Sequence, residues 1–106
     1  MQSLRPEAVL ALLAEDPQAQ VVDVREDWEL ALAPYPIPVI HIPMDQIRGR
    51  MAELDPARTV VVACRSGSRS RTVGGLLEHN GFQKVINLDG GILAWAQDLD
   101  PSIPAY

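Results

Sequence analysis

The run Thr59-Val60-Val61-Val62-Ala63 limits the possible folds of this chain more than any other segment. Adjacent β-branched residues are stiff at χ1 and suit a pleated strand, and a run without polar alternation predicts a strand covered on both faces. Weaker versions recur at Gln20-Val21-Val22-Asp23-Val24-Arg25, at residues 39–42 and at residues 85–87. Helical spacing fills the intervals. Val9, Leu10 and Leu13 share one face, with Pro6 suited to the first turn. Residues 26–33 follow a helical period through Trp28 and Leu32, and residues 44–54 through Met44, Ile47, Met51 and Leu54, ended by Asp55-Pro56. After residue 64, Val73, Leu76 and Leu77 share a face of a helix that stops at Asn80-Gly81, with Phe82 supplying the hydrophobic contact of a C-cap. Asp89-Gly90-Gly91 turns the chain into a last helix over residues 92–99, before a Pro-containing tail. Strands separated by helices predict an α/β fold, a parallel sheet with helices on both faces in three layers. Pro34, Pro36 and Pro38 forbid a helix between the second and third strands and favour an extended stretch.

With 106 residues and 47% hydrophobic content, the chain is expected to form one domain over residues 1–106, so fold and function share a single unit. A net charge of −5 argues against nucleic acid or an anionic membrane as partner and favours a soluble protein. Arg5 ahead of the apolar stretch 8–14 resembles the start of a signal peptide. Pro6 and Glu7 interrupt it, however, and Glu15-Asp16 stands where small cleavage-site residues would be needed. No stretch approaches a membrane-spanning length. No repeat, linker or low-complexity tract is visible.

Cys64 is the only cysteine. That excludes an internal disulfide, a Cys-x-x-Cys redox pair and a zinc site of several thiolates, and a free reactive thiol suits a reducing compartment, the cytoplasm. An unpaired cysteine closing a buried strand is most often a small apolar filler. Its surroundings argue for more. Cys64-Arg65-Ser66-Gly67-Ser68-Arg69-Ser70-Arg71 leads into a helix N-terminus, where backbone N–H groups converge on anions and favour thiolate over thiol. Arg65, Arg69 and Arg71 crowd into this short loop of an otherwise acidic chain, which points to an anionic substrate. Neither His41 nor His79 has a spacing that marks a general base or metal ligand, and the loop itself holds no histidine, so a Cys-His protease lacks local support.

Three landmarks in order, Asp23-Val24-Arg25-Glu26, Cys64-Arg65-Ser66-Gly67-Ser68-Arg69 and Leu88-Asp89-Gly90-Gly91 with Trp95, make the chain resemble a single-domain rhodanese, a sulfurtransferase. The resemblance implies a rhodanese-like three-layer fold in which Cys64 becomes a persulfide. It further implies that Arg65, Ser66, Gly67, Ser68, Arg69 and Ser70 cradle it through their amides, while Arg65 and Arg69 hold an anionic donor such as thiosulfate. The acceptor would be thiophilic, cyanide or a thiol, and no metal or organic cofactor is implied. One departure is Val39-Ile40 after Ile37-Pro38, where the family usually has a small Gly-Ala turn. Asp23 and Arg25 are expected to organise the fold by pairing with each other or with nearby backbone, Gly90 and Gly91 to supply turn geometry, and Trp95 to fill core.

Two rival readings differ in chemistry. Cysteine phosphatases resemble Cys-x5-Arg, a wider loop for a tetrahedral phosphate, whereas here the sixth residue after the thiol is Ser70 and the arginine comes one place earlier, at Arg69. The other rival is a carrier that passes persulfide sulfur to a sulfur-relay protein, or an interaction module with little turnover. Rapid turnover with thiosulfate and cyanide distinguishes an enzyme from either.

Overall fold

In the computed structural model, which describes residues 1–106, the elements run β1 (Gln2–Leu4), α1 (Pro6–Glu15), β2 (Gln20–Asp23), α2 (Asp27–Leu32), β3 (Ile40–His41), α3 (Ile47–Arg50), β4 (Val60–Ala63), α4 (Ser68–His79), β5 (Val85–Leu88) and α5 (Gly91–Asp98). The strands form one parallel sheet in the order β1-β5-β4-β2-β3. The valine run is its centre. Val62 stands opposite Val22 on one side and Asn87 on the other. Residues of β2, β4 and β5 are buried throughout, as a strand covered on both faces requires.

Alternation sorts the core into two layers. Val22, Val60, Val62 and Val85 pack with Ile47, Val73, Leu77 and Phe82 on the side of α3 and α4. Val21, Val61, Ala63, Ile86 and Leu88 pack with Val9, Ile92 and Trp95 on the side of α1 and α5. Each fully buried valine contributes about 1.5–3 kcal/mol relative to exposure, so the central strand anchors both layers. Helix α4 ends as its sequence predicts: Gly81 is left-handed at φ +88°, and the N–H of Phe82 donates to Leu77 O at 3.1 Å.

Three segments differ from the sequence reading. Gln2-Ser3-Leu4 forms an edge strand on β5, although it has no apolar run, because its pairing rests on backbone hydrogen bonds and one side-chain bond, Asn87 Nδ2 to Ser3 Oγ at 3.4 Å. Residues 44–54 are not one helix but two 3₁₀ turns, Met44–Gln46 and Met51–Glu53, flanking α3. The spacing explains this: Met44 to Ile47 and Met51 to Leu54 are steps of three, which a 3₁₀ turn satisfies as well as an α-helix, and Gly49 weakens the middle. In α2 the apolar residues Trp28 and Leu32 are exposed, at 62% and 47%, while Glu29 is buried. No helix is long and apolar enough to cross a membrane.

Candidate active site

Cys64 continues the alternation of β4, following Val60 and Val62 onto the α4 side. The residue is 0% exposed. By burial alone it resembles a filler, but its neighbours are polar. Sγ accepts N–H groups from Gly67 at 3.1 Å and Ser70 at 3.4 Å, and the thiol lies 3.3 Å from Ser70 Oγ. The Ser70 hydroxyl donates in turn to Asn87 Oδ1 on β5. A buried N–H without an acceptor costs about 1–3 kcal/mol, and here the sulfur is the acceptor for two of them.

The first two peptides of the loop are oriented by hydrogen bonds to their carbonyls. Ile92 N–H, at the start of α5, donates to Cys64 O at 3.0 Å, and Leu93 N–H donates to Arg65 O at 3.1 Å. Tyr35 adds its hydroxyl to Cys64 O at 2.6 Å. In a planar trans peptide C=O and N–H point oppositely, so fixing these two carbonyls turns the N–H groups of Arg65 and Ser66 to the other side of the chain and sets the course of the loop toward Gly67. Glycines make the approach possible. A Cβ on Gly91 would lie 2.3 Å from Arg65 O, and one on Gly67, left-handed at φ +102°, would lie 3.1 Å from Gly90 N.

Two ion pairs brace the loop from the α2 side. Arg25 and Asp23 are both fully buried, and the guanidinium also donates to Ala33 O at 3.0 Å and to Tyr106 Oη at 2.8 Å. Burial opposes the Arg25 charge, yet hydrogen bonds to Asp23 and Tyr106 hold its pKa above the ordinary guanidinium value. Arg69 grips Glu29 with two bonds, Nη1 to Oε1 at 2.7 Å and Nη2 to Oε2 at 2.8 Å. The hydrogen bond from Arg69 is the main cause that brings Glu29 from 4.5 down to about 2, against the effect of burial. Burial and Glu29 together raise the Tyr106 phenol against the pull of Arg25, so it keeps its proton and donates to Glu29 Oε2 at 2.8 Å.

A fold of this kind, with a sulfur nested in amides at the end of its central strand, matches one family: the profile of the rhodanese-like domain fits residues 5–98. The chain belongs to the rhodanese-like domain family. Among relatives of this rhodanese-like domain, a protein of Allochromatium vinosum named Sulfurtransferase is 38% identical over 91 residues, covering 86% of this chain and 84% of its own length. A candidate sulfurtransferase of Bacillus subtilis is 40% identical over 86 residues, covering 81% of this chain and 82% of its own. The crystal structure of a rhodanese-like domain protein from Staphylococcus aureus superposes with a TM-score of 0.82 at 31% identity, over 100% of this chain and 99% of that one.

The loop residues singled out in the sequence have separate surroundings in this rhodanese-like domain. Gly67 and Ser70 contact the sulfur. Ser66, Gly67 and Ser68 line a polar cleft of about 370 Å³ with Arg71, Thr72 and Asp89. Arg65 and Arg69 have different partners: Arg69 is bound to Glu29, whereas Arg65 donates to the main-chain carbonyl of Tyr106 and lies 5.0 Å from the centre of its ring. Glu29, Tyr35, Asn87 and Tyr106 are absent from the sequence reading of the site. Only Glu29 carries a signal, since Glu26 and Glu29 form a capping box at the start of α2. His41 donates from Nε2 to Arg25 O at 2.6 Å, a structural use.

Proposed function

We propose that this rhodanese-like domain is a sulfurtransferase that carries sulfane sulfur on Cys64 as a persulfide. The observation that supports this best is the pair of N–H groups from Gly67 and Ser70 on Sγ. In the first step the Cys64 thiolate attacks the outer sulfur of thiosulfate or a similar donor. The new S–S bond forms as the donor's S–S bond breaks, and sulfite leaves with the bonding pair. In the second step cyanide or a thiolate attacks the terminal sulfur, and the Cys64 thiolate departs. Neither step needs an oxidant or a base, provided that the sulfur reacts as an anion.

Two anions must meet in the first step, and positive charge near the loop lowers that barrier. Arg65, next to the nucleophile in the chain and unlike Arg69 not paired with a carboxylate side chain, is the cation assigned to the donor, and the loop amides share the work of stabilising charge. Arg69 acts indirectly, by fixing Glu29 beside the loop. Loss of one such hydrogen-bond donor commonly costs on the order of 3 kcal/mol at sites of this type. A thiol that must return to its reduced form after every cycle suits the cytoplasm.

Intact-protein mass spectrometry tests the reading directly. The reduced protein is expected to gain one sulfur atom from thiosulfate and to lose it to cyanide, and Cys64→Ser to do neither. Failure of the wild-type protein to gain the atom would overturn thiosulfate as donor. Gain followed by release only to a partner protein, and not to cyanide, would identify a carrier in place of an enzyme.

A further inference from the structure

Tyr106 meets four residues around the loop: Arg25, Trp28, Glu29 and Arg65. Its hydroxyl accepts from Arg25 Nη1 at 2.8 Å and donates to Glu29 Oε2 at 2.8 Å. Trp28 packs on its ring in an edge-to-face pair with centroids 5.9 Å apart, and its main-chain carbonyl accepts from Arg65 Nη2. Around the sulfur, Asp23 balances Arg25 and Glu29 balances Arg69. Arg65 is left without a carboxylate side chain, covered by the carbonyl and ring face of Tyr106. A cation–π contact of this kind contributes about 0.5–1 kcal/mol when exposed, whereas an oxyanion offers charge-assisted, bidentate bonds.

We propose that Tyr106 is a specificity-determining residue of this site: docked, it withholds Arg65 from the donor, so a sulfur donor gains that cation only if its own anionic group displaces the tyrosine. Two donor classes are then treated differently. A small oxyanionic donor such as thiosulfate must compete with Tyr106, while an uncharged organic polysulfide has no use for Arg65 and is indifferent to it. The inference rests on the reading of Cys64 as the sulfur nucleophile, but it can be tested apart from sulfur transfer.

Iodoacetate and iodoacetamide alkylate the same thiolate and differ by one negative charge, so the ratio of their rates cancels loop access and thiol ionisation and reports the local field. The ratio is to be measured on the intact protein, on Tyr106→Phe, which breaks the hydroxyl tethers, and on Tyr106→Ala, which also removes the ring, each with and without Arg65→Ala. Tyr106→Ala is expected to raise the iodoacetate-to-iodoacetamide ratio roughly threefold or more, and Tyr106→Phe to raise it by less. Neither should raise it once Arg65 is alanine. An unchanged ratio in the Tyr106 variants, equal acceleration of both reagents, or a rise that persists without Arg65 would each overturn the proposal. Should Tyr106→Ala fail to fold, Tyr106→Phe decides alone by the same criterion. A protein that shows the expected ratios yet takes no sulfur from thiosulfate would sink the functional reading and leave the control of Arg65 by Tyr106 standing.

Discussion

Arg69 and Arg65 illustrate how little a residue type says about its task. Both follow the sulfur in a basic loop, and by sequence alone both read as donor ligands. Glu29, only 3% exposed, claims both terminal nitrogens of Arg69. Arg69→Ala would strand that carboxylate in a buried position, and the expected loss is about 2–3 kcal/mol of stability in chemical denaturation, with Glu29→Gln in the same chain restoring part of it. Arg65→Ala should leave the denaturation midpoint nearly unchanged and weaken use of thiosulfate. Equal effects of the two single variants on stability would contradict this division. Nothing in the sequence could separate them, because the discriminating contact joins α4 to α2 across 40 positions of chain.

At the scale of elements, the central strands and the two long helices next to the site were legible, since their apolar residues follow the periods of strand and helix and no long-range fact is needed to see them. Trp28 and Leu32 show where that logic stops: the Glu29–Arg69 pair draws Glu29 of α2 inward while both apolar residues stay exposed. The start of α5 carries a second lesson. Gly91 reads as a turn residue, yet the backbone of Arg65 fills the space a side chain would need, its carbonyl oxygen 2.3 Å from where a Cβ would lie. Gly91→Ala must therefore push the cysteine loop away from α5, with a loss of persulfide formation on the order of 10²-fold. Gly49→Ala is the matching control: its Cβ would meet nothing within 4 Å, and activity should be retained. Rates of sulfur uptake followed by mass spectrometry compare the two, and retention of activity in Gly91→Ala would show that the contact between loop and helix is dispensable.

For the whole molecule, the ion pairs make stability depend on pH in a stated direction. Glu29 titrates near 4.5 in an unfolded chain and at about 2 when folded, so its contribution is complete above about 4.5 and is lost as pH falls toward 2. The expected drop over that window is ~2–3 kcal/mol, and Glu29→Gln should flatten it in denaturation curves taken at a series of pH values. An equally steep curve in the variant would assign the acid sensitivity to other carboxylates. Sequence could not reveal this either, nor that residues 100–106 fold back so that Ile103 and Tyr106 pack against the α5-side core. Finally, because Val60, Val62 and Cys64 share a face while Val61 and Ala63 take the other, the address of the sulfur is a matter of parity. One residue inserted within β4 would swing the thiol across the sheet to Trp95, and two would return it, so evolution or engineering can lengthen this strand only in even steps without separating the nucleophile from its amides.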